Sequence, residues 1–195
     1  MEAFIHCTRK VIAMTARVPL VSATDTPAAS RPLLDAVHGA FGTTPNMFRA
    51  VANSPAALQA MWGFFGALGG GSLPAKLGEQ IAVAVADRNA CEYCLAAHTA
   101  LGRKAGASSA EMSAAQAGES ADPATAAALR FALKLVEQRG QVTDADVTAL
   151  RAAGFNDGQV VEILAHVALN LFTNYVNVAF AVPVDFPGVK LRAAA

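Results

Sequence analysis

The sequence predicts an all-α protein built as a multi-helix bundle. Its periodic segments are dominated by Ala, Leu and Glu, and no run alternates between apolar and polar residues for long. No strand pattern alternates with the helical ones, which argues against a parallel sheet. Hydrophobic residues make up 54% of the chain and charged residues only 15%. That composition allows a sizeable core and leaves apolar surface for an oligomer.

The chain divides into an arm, one helical domain and a tail. Residues 1–30 are rich in Thr, Pro and Ala and form the predicted arm. Met14 is a second candidate start, so residues 1–13 are a candidate dispensable extension. The helical domain is expected over 31–187, and a tail follows over 188–195.

Residues that start and stop helices define the first half of the domain. Gly42 ends a first helix, and Pro45 begins a short second one. Ser54 is a candidate cap for a third helix that has Pro55 in its first position, before the break "GGGS". The predicted helices are 31–41, a short segment from Pro45, and "SPAALQAMWGFFGAL".

The second half begins with a helix that must be deeply buried. Ser72 is its candidate cap, and the run "IAVAVA" at 81–86 is apolar on every side. A helix with two cysteines follows and ends at Gly106. Further helices are predicted over 109–116, 123–138, 144–152 and 157–180, and "VPVDFPGVKL" is an extended exit.

Charge and cysteine usage limit the partners and the compartment. The formal net charge is zero and no basic run occurs, so nothing indicates binding to nucleic acid or to an anionic membrane. Three cysteines do not make a disulfide framework, and the N-terminus has no pattern of a secretory signal. We expect a cytoplasmic protein, in a compartment where a Cys-x-x-Cys pair is more often catalytic or metal-binding than structural.

Residues 160–182 are long and apolar enough to require a membrane check. They carry polar residues at steps of four, four, four and three, which place them on one side of a helix and disfavour a lipid environment. A solvent face, a seam between subunits and the wall of a cavity all stay open, although the absence of Lys and Arg favours a buried seam or wall. The polar stripe consists of Glu162, His166, Asn170, Asn174 and Asn177.

The stretch "NACEYCLAAHTALGRKAG", residues 89–106, carries the chemistry. Cys91, Cys94 and His98 share one face of a helix. Both cysteines lie at the helix N-terminus, where backbone N–H groups and the macrodipole favour a thiolate. His98 lies one turn further and can accept or return a proton. This arrangement suits a thiol peroxidase or a disulfide reductase.

Other uses of the two cysteines remain open or are excluded. Leu95 stands where a c-type haem motif needs histidine, and the chain lacks the strand and helix unit of a thioredoxin-like domain. A zinc site would take a fourth ligand from Glu79 or His166. Free cysteine is also a common core residue. Redox chemistry is the favoured interpretation.

The segment "EQIAVAVADRNACEYCLAAHTALGRKAG" resembles the signature of the carboxymuconolactone decarboxylase-like superfamily, in its alkylhydroperoxidase D-like, peroxidase-related branch. That signature has Glu, eleven residues, Cys-x-x-Cys, three residues and His. The resemblance is specific over 72–112 and looser over 31–187, and the common "NGC" is "NAC" here. The matching positions are Glu79, Cys91, Cys94 and His98.

The resemblance implies a function and a set of roles. Cys94 would attack a hydroperoxide, Cys91 would resolve the sulfenic acid as a disulfide, and Glu79 and His98 would relay protons. The reductant would be a dithiol, such as a lipoylated adaptor protein, and neither a metal nor a cofactor is implied. The fold would be the alkylhydroperoxidase D-like bundle, assembled as a trimer or hexamer.

Alternative functions use the same residues. The pair would also serve a protein disulfide reductase or a non-enzymatic redox sensor. A zinc-binding interaction module is the remaining alternative. The family's lactone decarboxylases lack the cysteine pair, so its presence here argues against that activity.

Overall fold

The structure, a computed structural model, describes residues 16–192. Within that range the chain forms α-helices, one short 3₁₀ turn at Ala28–Ser30 and no strand, so the all-α prediction is confirmed. The prediction that residues 1–13 are dispensable lies outside the described residues. The helices are α1 (Arg31–Phe41), α2 (Asn46–Val51), α3 (Pro55–Gly69), α4 (Ala75–Arg88), α5 (Glu92–Lys104), α6 (Ser109–Gln116), α7 (Pro123–Glu137), α8 (Asp144–Ala152) and α9 (Asp157–Ala179).

Helix α4 is the central element of the bundle. It packs against α5, α6, α7 and α9. Every residue of the "IAVAVA" run, 81–86, is at most 2% exposed, as the apolar pattern predicts. Its alternating alanines let the neighbouring helices approach closely, while Ile81, Val83 and Val85 fill the space between them.

Most predicted helix ends are confirmed. Ser54 caps α3 by accepting a hydrogen bond from the Ala57 N–H at 3.3 Å. Gly42 and Gly106 follow α1 and α5 with φ values of 72° and 91°, in the left-handed region where glycine carries no steric penalty. These glycines stop their helices as the sequence indicates.

The predicted cap at Ser72 is wrong. Helix α4 begins only after Pro74, whose fixed φ makes it a good residue for the start of a helix. The backbone N–H and hydroxyl of Ser72 instead donate to the carboxylate of Glu162 on α9. Leu73 N–H donates to the same carboxylate at 3.0 Å. The segment before α4 is therefore fixed by α9 and not by its own cap.

Helix α9 runs beside α4 and also contacts α3, α5 and α7. One side of it is buried and carries Asn170, Asn174 and Asn177, which are at most 4% exposed. The other side is open to solvent. No helix within residues 16–192 is long and apolar enough to cross a membrane.

Candidate redox site

The turn between α4 and α5 sets the position of the first cysteine. Ala90 has a φ of 52°, and its N–H donates to Asp87 C=O at 3.1 Å. The Cys91 N–H donates to Ala86 C=O at 2.9 Å. These two bonds form a Schellman motif, which ends a helix with one left-handed residue. That left-handed position explains why glycine is common before the first cysteine in the related signature.

Cys91 and Cys94 are bonded to each other as a disulfide, with their Cα atoms 5.4 Å apart. Cys91 is the N-cap of α5, and its Sγ accepts a hydrogen bond from the Cys94 N–H at 3.2 Å. The two cysteines are 1% and 2% exposed. The pair thus lies at the positive end of a helix dipole, which favours a thiolate, while its removal from bulk water opposes the charge.

Glu79 and His98 form the second pair of predicted site residues. Glu79 Oε2 and His98 Nδ1 are 2.7 Å apart, and the side chains are 24% and 13% exposed. Glu79 lies on α4 and His98 on α5, one turn after Cys94. The half-buried carboxylate is therefore paired, and the bond fixes which ring nitrogen of His98 is left to act elsewhere.

His166 joins these groups around a small cavity, the Glu79 cavity, of about 200 Å³. Its wall includes Glu79, His98, His166 and Asn170, and apolar side chains of α3 complete it. Burial lowers the pKa of His166 below its usual value, and the carboxylates of Glu79 and Glu162 partly oppose that shift. His166 is therefore neutral at pH 7, and its ring forms part of the cavity wall.

The asparagines of the polar stripe on α9 lie beside the site formed by α4 and α5 of the same chain. Asn177 Nδ2 donates to Cys94 Sγ at 3.2 Å, and Asn174 Oδ1 accepts from Asn89 at 2.9 Å. Asn170 Nδ2 donates to the His166 carbonyl at 2.9 Å. Of the alternatives open for the stripe, the solvent face is excluded, because the three asparagines are buried against α4 and α5.

Sequence reasoning did not connect Asn177 with Cys94. The two residues are 83 positions apart, and Asn177 was recognisable only as the last member of the stripe. Spacing along one helix identifies the residues that share a face, but it does not identify which other helix that face meets. The contact between Asn177 and Cys94 forms only because α9 packs on α5.

A second cavity, the Cys91 cavity, opens beside the first cysteine. Its volume is about 490 Å³, and its wall includes Cys91 and Asn177 but not Cys94. The rest of the wall is largely apolar and comes from the end of α9 and the extended segment after it. Those residues are Val178, Ala181, Val182, Pro183 and Val184.

Tyr93 anchors the short segment between the two cysteines. Its hydroxyl accepts a hydrogen bond from the Met47 N–H at 3.3 Å, and its ring meets Phe186 edge-on at 5.6 Å. Burial raises the pKa of Tyr93 well above its usual range, and Asp185 adds to the rise. Tyr93 is thus a neutral, fixed residue that holds the start of α5 against α2 and the chain exit.

A metal site was the alternative to redox chemistry. In residues 16–192, no group of three or more His, Cys, Asp or Glu side chains is placed to hold a metal ion. Both cysteine sulfurs are joined to each other. The donor set that zinc would need is therefore not assembled in this part of the chain.

Comparisons with known proteins agree with the geometry. Residues 55–138 match the Carboxymuconolactone decarboxylase family. A solved, uncharacterized peroxidase-related protein from Silicibacter sp. TM1040 is 26% identical, with a TM-score of 0.76 over 86% of this chain and 91% of that one. An alkylhydroperoxidase AhpD core protein from Ralstonia eutropha JMP134, also called an uncharacterized peroxidase-related protein, is 27% identical, with a TM-score of 0.80 over 87% and 92%. No curated protein matches the chain.

A more distant structure has the same fold. It is the debrominase Bmp8, as a cysteine-to-alanine variant in complex with 2,3,4-tribromopyrrole. The identity is 20% and the TM-score 0.75, over 88% of this chain and 93% of that one. At that identity the likeness concerns the fold alone. The match over residues 55–138 and the shared architecture support the resemblance to the carboxymuconolactone decarboxylase-like superfamily, in its alkylhydroperoxidase D-like, peroxidase-related branch.

Proposed function

We propose that this protein is a thiol-dependent peroxidase that reduces hydroperoxides through Cys94 and Cys91. The observation that carries the proposal is the position of the disulfide. It lies at the start of α5, one turn before a histidine that is hydrogen-bonded to a half-buried carboxylate. A thiolate, a resolving thiol and a proton relay are the parts that such a reaction needs.

In the first step, the Cys94 thiolate attacks the terminal oxygen of the hydroperoxide. A sulfur–oxygen bond forms, the oxygen–oxygen bond breaks, and Cys94 becomes a sulfenic acid. The alkoxide that leaves takes a proton from the Glu79 and His98 pair. Among the described residues no direct hydrogen bond links that pair to a sulfur, so the proton passes through the substrate or a water molecule.

In the second step, Cys91 attacks the sulfenic sulfur. The Cys91–Cys94 disulfide forms and the sulfenic oxygen leaves as water. A dithiol then donates two electrons and two protons, which restores both thiols and leaves the reductant as a disulfide. Each cycle therefore consumes one hydroperoxide and one dithiol, and yields an alcohol, water and an oxidised dithiol.

The Glu79 cavity supports a small hydroperoxide as substrate. Its volume of about 200 Å³ limits the size of the group that can enter, and its wall combines apolar side chains with Glu79, His98 and His166. A peroxide bound there would meet the proton relay directly. The apolar part of the wall would accept an alkyl or small aryl group.

The test combines oxidation with single-cysteine variants. Reduced protein is mixed with one equivalent of cumene hydroperoxide, and its intact mass is measured. We expect loss of two hydrogens in the wild type and, in Cys91→Ser, a sulfenic acid at Cys94 that dimedone traps. Catalytic consumption of the peroxide with dithiothreitol as reductant completes the test. Thiols that do not react with the peroxide would refute the proposal.

The same experiment separates the alternatives. A protein disulfide reductase would reduce a disulfide substrate faster than it reacts with peroxide. A redox sensor would oxidise once and show no turnover with dithiothreitol. A native mass that includes a zinc ion would instead indicate that the cysteines form a metal site.

We also propose that the protein is a homo-oligomer whose interface includes α9. Apolar residues recur along its outer side at steps of three, four, four, three and four, without one charged residue among them. Val161 is 66% exposed and Tyr175 is 61% exposed. A second copy of the chain is the partner that this long apolar surface fits best. The outer face of α9 consists of Val161, Leu164, Ala168, Phe172, Tyr175 and Ala179.

A further inference from the structure

The amide of Asn177 contacts the sulfur of Cys94. Its Nδ2 lies 3.2 Å from Cys94 Sγ, and the two residues are 4% and 2% exposed. A disulfide sulfur has no proton to donate, so the N–H end of the amide is the end that stabilises the contact. Asn177 Oδ1 is buried and has no hydrogen-bond partner among the described residues. The contact with sulfur therefore fixes this side chain at the cost of an unpaired oxygen.

The two sulfurs differ in what surrounds them. Cys91 belongs to the wall of the Cys91 cavity, while Cys94 does not, and Asn177 occupies the wall beside it. Cys91 Sγ accepts a backbone N–H, which holds it in place at the cap of α5. Cys94 Sγ accepts a side-chain N–H from another helix. Both cysteines are almost fully buried, at 1% and 2% exposed, but only Cys91 contributes to the wall that a reagent in this cavity meets.

We propose that the reductant enters the Cys91 cavity and attacks Cys91 Sγ, and that Asn177 stabilises the Cys94 thiolate as the leaving group. The inference rests on the proposed redox pair. It assigns a site of attack to the electron donor. It also assigns to Asn177 a role in setting which sulfur is attacked.

The reduction of the Cys91–Cys94 disulfide by the dithiol takes place in two exchange steps. The thiolate of the donor bonds to Cys91 Sγ, the Cys91–Cys94 bond breaks, and its electron pair leaves on Cys94 beside the Asn177 N–H. The second thiol of the donor then loses its proton and attacks the donor sulfur of the mixed disulfide, which releases Cys91 and closes the disulfide of the donor. Cys94 and Cys91 take up the two protons that the dithiol loses.

The Cys91 cavity has room for a small thiol reagent. Its volume is about 490 Å³, and its wall includes the apolar side chains of Val178, Val182 and Pro183. Arg17 and Glu92 add one positive and one negative charge to the same wall. A reagent of the size of dithiothreitol therefore fits in this cavity.

The cysteine that the reductant attacks is identified by trapping the mixed disulfide and locating the adduct. The experiment uses full-length protein with Cys7→Ser, oxidised with diamide so that no peroxide is involved. It is treated with 2-mercaptoethanol and quenched with N-ethylmaleimide. Trypsin cleavage after Arg88 and Arg103 leaves one peptide with both cysteines, and its fragmentation locates each adduct. We expect mercaptoethanol on Cys91 and maleimide on Cys94, with a preference of roughly tenfold or more.

The role of Asn177 is tested by the rate of reduction with dithiothreitol. Asn177→Ala removes the donor, and we expect reduction to slow by roughly tenfold, the scale of a hydrogen bond to a charged group. Asn177→Asp keeps the shape but places a carboxylate beside the leaving thiolate, so reduction should slow further. Thr173→Val is the control, because Thr173 is also buried on α9 but its hydroxyl donates only to the Asn170 carbonyl of its own helix, at 3.2 Å.

Several outcomes would overturn the inference. Mercaptoethanol on Cys94, or equally on both cysteines, would exclude attack at Cys91. Reduction of Asn177→Ala at the wild-type rate would exclude a role for the amide. If both Asn177 variants fail to fold, the position of the adduct in the Cys7→Ser protein still decides the site of attack. Failure of peroxide oxidation would refute the proposed peroxidase but would leave these exchange results unchanged.

Discussion

Glu79 Oε2 and His98 Nδ1 lie 2.7 Å apart, although 19 positions separate the two residues in the chain. The bond joins α4 to α5 on the side of the Glu79 cavity, while the disulfide links the N-cap of α5 to its first turn. Helices α4 and α5 therefore hold two neighbouring pairs of side chains, Glu79 with His98 and Cys91 with Cys94, and His98 lies one turn after Cys94. Each has a distinct task in the proposed reaction.

Removing the carboxylate should slow the reaction with peroxide. In Glu79→Gln the relay can no longer take and return a proton, and we expect oxidation of the reduced pair by cumene hydroperoxide to slow by about 100-fold, within the usual range of acid–base catalysis. Stopped-flow measurement of thiol loss gives the rate. The control is Glu111→Gln, a surface carboxylate paired with Lys76. Equal rates for Glu79→Gln and the wild type would exclude the relay.

A glycine before the first cysteine should stabilise the protein. Ala90 adopts a φ of 52°, a conformation that penalises a Cβ, so Ala90→Gly should raise the free energy of unfolding by roughly 0.5–1 kcal/mol. Ala105→Gly is the matched control, because Ala105 has a φ of −79° and gains nothing from glycine. Urea titration measures both. A destabilised Ala90→Gly variant would contradict the strain at this turn.

Acid should destabilise the fold through His166. Its pKa is lowered by burial, against the opposing carboxylates of Glu79 and Glu162, while His98 lowers it further. A lowered histidine pKa means that the unfolded chain binds the proton more readily, so this part of the stability is complete above pH 6.5 and is lost as the pH falls toward the folded pKa. We expect the urea concentration that unfolds half of the wild-type protein to be lower at pH 5 than at pH 7.

Two histidine variants isolate this effect. His166→Gln should have a flatter pH profile than the wild type, because its side chain does not titrate. His38→Gln should keep the wild-type profile, since His38 is exposed on α1. Identical profiles for the wild type and His166→Gln would show that His166 does not contribute.

The ring of His166 lies close against the backbone of α4. A Cβ built on Gly78 would lie 3.0 Å from His166 Cε1, closer than ordinary contact allows. Gly78→Ala should therefore displace the ring and lower the free energy of unfolding. Gly39→Ala, with open space at its Cβ, should raise it by about 0.5–1 kcal/mol through helix propensity alone. An equal rise in the free energy of unfolding of both variants would show that the His166 ring moves aside without cost.

A charge on the outer face of α9 should dissociate the proposed oligomer. Tyr175→Glu places a carboxylate in the middle of that face, where burial against a second copy would be costly. We expect a smaller mass in solution by light scattering, with an unchanged helical spectrum. Arg130→Glu, at an exposed position on α7, is the control. A wild-type protein that is monomeric at all concentrations would refute the interface.

Local patterns predicted most of the fold. Glycine, proline and cap residues predicted helices at 31–41, 109–116 and 144–152 with the observed bounds, because helix ends depend on nearby residues. Ser72 was the exception. Its partner, Glu162, lies 90 positions away, so no local pattern could reveal that the segment before α4 bonds to α9.

The candidate site was predictable along α4 and α5 but not across to α9. Spacing places Glu79 and the cysteine pair on consecutive helices, and their side-chain pairs form as those helices pack. Asn177 and His166 reach the site from a distant part of the chain, and their roles depend on how α9 is rotated against α4. A helical period fixes which side chains share a face, but the rotation of that face comes from packing.

Cys91 ends one helix and begins the next, and this has a consequence for redox cycling. Its N–H completes the turn after α4, while its C=O accepts from Leu95 and its sulfur accepts from Cys94 in the first turn of α5. The backbone around the sulfur is thus fixed from both directions by hydrogen bonds that do not depend on the sulfur–sulfur bond itself. In the proposed cycle, opening and closing the disulfide would therefore require little movement of these two helices, which favours rapid turnover over a conformational redox signal.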